Sequence, residues 1–244
     1  MVIKTLTIFP QMFEALNYSV VGRAVRAGLF SLETIDIRSF STDKHRKTDD
    51  YPFGGGSGMV MMAQPIIDAM THATLPPFTG PRISLSPRGE KLNQRVVERL
   101  ASLPGFILLC GHYEGVDQRA LDLCIDEELS VGDYILTGGE PAAIVIIDAV
   151  ARLIPGVLGN ASSSSEESFS ADGLLEYPQY THPREVAGLA VPNILLNGDH
   201  AKIAAWRREQ ALRITWERRR DMLDCTRLTN KELQVISEWD NYRG

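Results

Sequence analysis

The hydrophobic positions of the chain fall into short strand-like runs that alternate with helix-like runs as far as about residue 160. IKTLTIF and RISLSP have the composition of strands, whereas LNQRVVERLAS has the apolar spacing of a helix. FILLCG, residues 106–111, is apolar throughout, as expected of a strand that is covered on both faces. The alternation predicts an α/β fold with a mostly parallel sheet.

A change in composition predicts a second, smaller domain. The segment NASSSSEESFSADG, residues 160–173, is poor in apolar residues and carries a serine run, which is typical of a linker. After it, HAKIAAWRREQALRITWERRR and KELQVISEW have the character of helices. We therefore expect a domain over residues 1–160, a flexible linker over 161–175 and a small helical domain over 176–244.

Composition limits the class of protein. The chain has 244 residues, 44% of them hydrophobic, and no run of about eighteen apolar residues that could span a bilayer. The first residues lack the pattern of a signal peptide, so we expect a soluble cytoplasmic protein without a membrane partner. Cys110, Cys124 and Cys225 have neither disulfide-framework nor zinc-site spacing, and we expect them to be reduced. The formal net charge of -6 argues against nucleic-acid binding over the whole surface but permits a local basic patch.

Four glycine-bearing loops are the candidate ligand sites: residues 49–59, 84–90, 110–117 and 130–140. The last three follow or contain a predicted strand, YILTGG among them, and lead toward a helix. In a parallel sheet such loops meet at the carboxyl ends of the strands, where α/β folds bind ligands. Glycine lets main-chain groups approach a ligand closely, and a helix that starts at Glu140 or Pro141 would direct its free N–H groups there. A ligand recognised by the backbone is predicted. The first loop, with GGGSGM, lacks the Lys and Ser/Thr of a phosphate-binding loop.

The charged residues allow more than one interpretation. His45 lies among aspartates, but the interleaved lysines and arginine favour a solvated or phosphate-contacting loop over a metal site, and no metal is predicted. His112 has no nucleophile motif nearby and is interpreted as a polar loop residue rather than a general base. Two arginine pairs, Arg207–Arg208 and Arg218–Arg219, lie eleven residues apart and would share a strip of one helix. That strip is either a solvated face or a phosphate-binding surface.

Several ordered motifs resemble one known family. YPFGGGSGMVM, LSPRGE, CGHYEGVDQR, SVGDYILTGGE, IDAVARLIPGVLG and GLLEYPQYTHP are similar, in this order, to the TrmD family of bacterial tRNA (guanine-N1-)-methyltransferases in the SPOUT superfamily. The resemblance implies a parallel sheet with a deep trefoil knot, and a homodimer with its active site at the interface. It also implies methyl transfer from S-adenosyl-L-methionine to N1 of the guanosine immediately 3′ of the anticodon in tRNA.

The resemblance also implies site residues. The cofactor would be bound by Ser86, Pro87, Gly89, Gly111, Tyr113, Glu114, Gly115, Ser130, Val131, Gly132, Asp133, Tyr134, Leu136, Gly138, Gly139 and Pro141. Glu167 stands where well-known members have a catalytic aspartate, with Arg152 acting beside it, and Asp172 and Glu166 remain rivals for the base. His112 replaces an arginine found in many relatives. Because the net charge is negative, local basic groups are the expected way to hold an anionic substrate, and the charge pattern predicts Lys44, Arg46, Arg207 and Arg208 as RNA-binding residues. A Mg²⁺ requirement is open.

Two alternative functions stay open at this point. One is a related SPOUT methyltransferase that acts on another RNA position. The other is an RNA-binding module without turnover, which the replacement of the usual aspartate by Glu167 motivates.

Overall fold

A computed structural model describes residues 1–159, 167–169 and 173–243. The chain divides into two compact units, Met1–Ala161 and Ser162–Gly244.

The first unit is a three-layer α/β structure around one parallel sheet. Its strands are β1 (Val2–Thr7), β2 (Ser31–Asp36), β5 (Arg82–Lys91), β6 (Gly105–Cys110) and β7 (Glu127–Ser130), together with the short hairpin of β3 (Asp49–Asp50) and β4 (Val60–Met61). Its helices are α1 (Ser19–Arg26), α2 (Ala63–Ala73), α3 (Gln94–Ala101), α4 (Gln118–Cys124) and α5 (Glu140–Ala151), with 3₁₀ turns at Pro10–Asn17 and Ile37–Phe40. The five-stranded sheet has the order β2-β1-β6-β5-β7, and every pair in it is parallel.

Strand β6 lies at the centre of the sheet and is buried at all six positions. Phe106 and Leu108 point into one hydrophobic cluster, which α1, α3 and α5 cover. Ile107 and Leu109 point into a second cluster, which α2 and α4 cover. The expectation of a parallel α/β sheet, with this strand covered on both faces, is confirmed.

Capping side chains fix where two of these helices begin. The side chain of Asn93 accepts a hydrogen bond from the Val96 amide at 3.2 Å and so caps α3. The Asp117 carboxylate accepts from the Arg119 amide at 2.9 Å at the start of α4. Helix α5 instead begins with Glu140 and a proline in its first turn, where a missing N–H costs nothing.

One predicted element is wrong. YILTGG does not form a strand, because the edge strand β7 ends at Ser130 and residues 131–139 form an irregular loop. Ile135 in this loop is 81% exposed and Tyr134 is 57% exposed, so the apolar run that suggested a strand is not packed in the sheet.

The second unit is built on two helices, α6 (His200–Arg218) and α7 (Asn230–Arg243), which were both expected. It also contains the two-residue strands β8 (Glu185–Val186) and β9 (Leu189–Ala190), with 3₁₀ turns at Asn193–Leu196, Arg220–Met222 and Cys225–Arg227. Leu174, Ala211 and Leu212 form its core with flanking residues of α7 such as Trp239. The Trp216 indole N–H donates to Asp240 at 2.8 Å and ties α6 to α7.

The three cysteines, Cys110, Cys124 and Cys225, are free thiols in this structure. Within the described ranges, no helix is both long enough and apolar enough to cross a membrane.

Candidate functional site

A cleft of about 500 Å³ lies at the carboxyl ends of β5, β6 and β7. The loops that follow these parallel strands meet there, as the sequence predicted. This size is within the range of roughly 300–1,000 Å³ that is usual for small-molecule sites. Of the predicted cofactor residues, the cleft is lined by Ser86, Pro87, Gly111, Tyr113, Glu114, Gly115, Ser130, Val131, Gly132, Tyr134, Leu136, Gly138 and Gly139.

The first wall of the cleft leaves the sheet through a bulge in β5. Leu85 and Glu90 both lie opposite Leu129 of β7, so residues 86–89 loop out of the ladder between them. Ser86 and Pro87 face the cleft from this bulge. The Ser86 hydroxyl accepts a hydrogen bond from the Arg88 amide at 3.2 Å, which holds the turn in shape.

The second wall is the loop after β6, and the β3–β4 hairpin holds it from behind. The amide of Glu114 donates to the Met59 carbonyl at 2.9 Å, and the amide of Met61 donates to the Gly115 carbonyl at 2.9 Å. Tyr113 has a φ of 60°, a backbone conformation that is uncommon outside glycine and occurs at functional loops. Burial, followed by the nearby Asp49 carboxylate, raises the pKa of the Tyr113 phenol.

The third wall, residues 131–139, returns from the edge strand to the middle of the sheet. The Gly139 amide donates to the Gly111 carbonyl at 2.9 Å. A Cβ on Gly139 would lie 2.7 Å from Cys110 Cα, and a Cβ on Gly138 would lie 2.1 Å from His112 Nε2. Glycine is therefore required here because the two walls approach at backbone distance.

Three predicted cofactor residues do not line the cleft. Gly89 packs against β7, where a Cβ would lie 2.4 Å from the Leu129 nitrogen. Asp133 is exposed and forms an ion pair with Lys91. Pro141 lies in the first turn of α5.

The cleft also has lining residues that sequence reasoning missed, among them Arg88 and Gln118. Arg88 lies inside the SPRGE motif, so its position in the motif was a usable signal. Gln118 opens α4 and lies inside the CGHYEGVDQR motif, so the same signal was present for it. His112, interpreted from the sequence as a polar loop residue, also lines the cleft.

Behind the cleft wall lies a buried polar cluster. Glu140 has no exposed surface. Its Oε1 accepts a hydrogen bond from Thr7 Oγ1 at 2.6 Å, and its Oε2 lies 3.0 Å from His112 Nε2. Burial, and then the negative charge of Glu140, raise the pKa of the Cys110 thiol well above its ordinary value, which keeps that thiol protonated.

The candidate catalytic groups lie in both units. Arg152 is the C-cap residue of α5 in the first unit. Glu167 belongs to the second unit and is half-buried. The residues after it are held locally, because the Phe169 amide donates to the Leu174 carbonyl and the Glu176 amide donates to Ser168 Oγ. Asp172 and Glu166, the rival bases, lie outside the described residues, as does most of the predicted linker.

Both predicted RNA-binding arginines of α6 have partners within their own unit. Arg208 Nε donates to Glu232 of α7 at 2.7 Å. The guanidinium of Arg207 lies 4.7 Å from the ring centre of Tyr177, and its Nε is buried. The predicted arginine strip is also shorter than expected, since α6 ends at Arg218 and Arg219 pairs with Asp221.

The predicted basic loop of the first unit borders a second cavity of about 450 Å³. Arg46 and Lys47 line it together with Arg38, and it shares Tyr113 with the main cleft. Lys44 and Arg46 are exposed. Among the residues that the structure describes, no group of three or more His, Cys, Asp or Glu side chains could hold a metal ion.

Together, a parallel sheet and a strand-end cleft walled by close-approaching backbone define an α/β protein that binds a small cofactor. The family model for "tRNA (Guanine-1)-methyltransferase TrmD" matches residues 1–225, and the chain belongs to this family. It is therefore a methyltransferase that modifies tRNA, with S-adenosylmethionine as its methyl donor. The resemblance stated from the motifs is confirmed.

Curated relatives are similar over nearly the whole chain. A tRNA (guanine-N(1)-)-methyltransferase of Mesorhizobium japonicum is 56% identical over 219 residues, which cover 89% of this chain and 94% of the relative. The protein of the same name from Carboxydothermus hydrogenoformans is 52% identical, and the aligned region covers 99% of this chain and 94% of the relative. The one from Geobacillus kaustophilus is 48% identical, with 99% of both chains covered.

Proposed function

We propose that the chain methylates N1 of the guanosine immediately 3′ of the anticodon, with S-adenosylmethionine bound in the strand-end cleft. The observation that carries the proposal is the convergence of three parallel-strand loops on one cleft, with backbone-to-backbone approach at Gly139. An elongated cofactor with a nucleoside half fits such a cleft, because main-chain N–H and C=O groups can recognise the edges of its base.

The residues present suit that cofactor. The cleft has room for a drug-sized ligand, and its walls combine glycine backbone with Tyr113, Leu136 and Ser130 side chains. When bound, the cofactor supplies a methyl group carried on a sulfonium. The walls would hold it in one orientation, and orientation alone can contribute roughly 7–11 kcal/mol to a reaction of this kind.

The protein must also activate guanine N1, which is a poor nucleophile while it carries its proton. We assign the general base to Glu167, with Asp172 and Glu166 as rivals. A carboxylate is a weaker base than the deprotonated ring nitrogen, so the proton leaves as the methyl group arrives, and Arg152 balances the negative charge that develops on guanine O6. General-base help is worth roughly 10²–10⁴-fold.

The finer fold assignment is a SPOUT-type trefoil knot. The path of the third wall supports it. After the edge strand β7 the chain returns to the middle of the sheet, where Gly138 pairs with His112 and Gly139 bonds to Gly111, before α5 packs on the α3 side. Such a return from the edge of a sheet to its centre is compatible with a threaded chain.

We further propose a homodimer with the active site at its interface. Helix α5 supports this, since Val145 on it is 49% exposed and the neighbouring Ile144 and Ala149 are only partly buried against the core. Apolar side chains that stay exposed next to one another are a feature of protein contact surfaces. A second copy would cover them.

Binding of tRNA is assigned to local basic groups because the net charge is negative. Lys44 and Arg46 are exposed on the loop that borders Tyr113, and they would contact phosphates beside the cleft. In the C-terminal part of the chain, Arg207 and Arg208 are the proposed RNA-binding residues. The proposed domain division is a cofactor-binding domain over residues 1–160, a linker over 161–175 and a helical tRNA-binding domain over 176–244. A cytoplasmic location follows from the tRNA substrate, and a Mg²⁺ requirement stays open.

A single-turnover assay tests the proposal. It uses labelled S-adenosylmethionine and two tRNA transcripts that differ only in guanosine or adenosine 3′ of the anticodon. We expect transfer to the first transcript alone and 1-methylguanosine on nucleoside analysis. Transfer to both transcripts would favour a related SPOUT methyltransferase of another position. Cofactor binding without transfer would favour the RNA-binding module, which the presence of Glu167 in place of aspartate motivates.

A further inference from the structure

A buried carboxylate joins three distant segments behind the cleft. Thr7 is the last residue of β1, His112 follows β6, and Glu140 opens α5. The Thr7 hydroxyl and the His112 imidazole approach different oxygens of Glu140, at 2.6 and 3.0 Å. The Thr7 hydroxyl donates to Oε1, and the His112 ring nitrogen Nε2 lies within hydrogen-bond distance of Oε2. The first turn of α5 adds a favourable helix dipole for the negative charge.

Packing alone does not account for Glu140. A carboxylate with no exposed surface loses its hydration, and an apolar side chain at such a position is often as stable or more stable. Removing one partner of such a group, by contrast, leaves a buried charge without compensation. The presence of a buried carboxylate at this point is therefore better explained by the side chains that it holds in position than by packing.

His112 is the member that reaches the cleft. Its ring is packed edge-on against Phe9 at 4.9 Å and against Tyr113 at 5.8 Å between ring centres. Its backbone pairs with Gly138, and its Nε2 occupies the space that a Cβ on Gly138 would need. The orientation of this ring thus fixes the separation between the second and third walls of the cleft.

We propose that Thr7 and Glu140 hold His112 as a positioning residue of the cofactor cleft, so that this cluster sets the affinity for S-adenosylmethionine. The proposal rests on the proposed function, because it takes the strand-end cleft as the cofactor site. His112 acts on the spacing of the walls and not on the reacting atoms. Its loss therefore raises the KM for the cofactor, while kcat at saturating cofactor changes little.

Paired substitutions test this on the full-length protein. His112→Leu removes the polar partner of Glu140, and His112→Gln keeps a polar side chain at similar reach. Thr7→Val removes the hydroxyl and Thr7→Ser keeps it. Calorimetry measures the Kd of S-adenosylhomocysteine, and tRNA methylation gives KM and kcat. Because a buried polar group loses its hydrogen-bond partner, we expect His112→Leu to raise Kd about 30-fold and Thr7→Val about tenfold. The increase with His112→Gln and Thr7→Ser should be several times smaller.

A matched control is His72→Gln, since His72 is exposed on α2 and its ring contacts Phe40. It should bind like the wild type. An unchanged Kd in a folded donor-less variant, or a loss in kcat with KM unchanged, would overturn the proposal. If His112→Leu does not fold, the Thr7→Val and Thr7→Ser pair decides in the same way. Failure of the wild type itself to bind S-adenosylhomocysteine would count against the proposed function instead.

Discussion

The backbone amide of Gly139 donates a 2.9 Å hydrogen bond to the carbonyl of Gly111, and this contact closes the third wall of the cleft on the second. The α carbon of Cys110 leaves no space for a side chain at residue 139. We therefore expect Gly139→Ala to separate the two loops and to raise the Kd of S-adenosylhomocysteine at least tenfold by calorimetry. Gly159→Ala is the control, because a Cβ there would meet nothing within 4 Å. Equal affinities for the two variants would contradict the assignment.

Removal of the proposed base should separate binding from chemistry. With Glu167→Ala we expect kcat to fall by roughly 10²–10⁴-fold, the usual contribution of a general base, while the Kd of the cofactor stays near the wild-type value. Rapid-quench methyl transfer at saturating cofactor measures this. Turnover close to wild type would move the role to Asp172, and Asp172→Ala is the companion variant.

The salt dependence of tRNA binding tests the basic loop of the first unit. Each phosphate contact that is removed lowers the slope of log K against log salt by about 1. We expect Lys44→Ala and Arg46→Ala each to weaken tRNA binding and flatten the slope in filter binding, without a change in cofactor affinity. A slope equal to that of the wild type would show that the two side chains do not contact phosphates and are simply solvated.

Substitution of Arg208 should affect protein stability as well as tRNA binding, because this side chain forms an ion pair with Glu232. We expect Arg208→Ala to destabilise the C-terminal unit by roughly 1–3 kcal/mol, the cost of an unsatisfied partner, in addition to any effect on tRNA. Thermal unfolding measures the loss. Arg213→Ala on the same helix is the control, since Arg213 is more exposed and pairs with the exposed Glu217. A wild-type melting temperature with a lower salt slope would make Arg208 purely an RNA contact.

Acid should weaken the same ion pair. Burial tends to raise the pKa of Glu232, but hydrogen bonds from Arg208 and Thr229 outweigh it, and the folded-state pKa lies below the ordinary 4.5. A depressed carboxyl pKa contributes stability that is fully present above the unfolded pKa and is lost as the pH falls through the folded one. At pH values below about 4.5, we expect the melting temperature of the wild type to decrease as the pH is lowered. Glu232→Gln should make that decrease smaller. An identical acid profile in the variant would contradict this assignment.

The proposed dimer surface has its own test. Val145→Asp places a charge on the exposed side of α5, and we expect sedimentation to give a monomer with methyl transfer lost. Leu123→Asp on α4 is a matched control, since Leu123 is 67% exposed on another helix. A dimer that survives Val145→Asp would remove α5 from the interface.

Most of the fold could be predicted from the sequence because the hydrophobic patterns of its strands and helices are strong. FILLCG has the continuous apolar run expected of a strand buried on both faces, and the meeting of the three strand-end loops followed from parallel topology. YILTGG misled because its apolar residues resemble a strand, whereas they lie in an exposed loop. The contact of Glu140 with Thr7 spans 133 positions of the chain, and no local pattern signals such a pairing. Nor does an arginine-rich helix show from sequence which arginines have intramolecular partners.

The central strand β6 supplies Phe106 and Leu108 to one cluster and Ile107 and Leu109 to the other. Loss of this strand from the sheet would therefore remove packing contacts from both layers at once. The amides of residues 106–109 should accordingly be among the slowest to exchange with deuterium, with protection equal to the full unfolding free energy of the first unit.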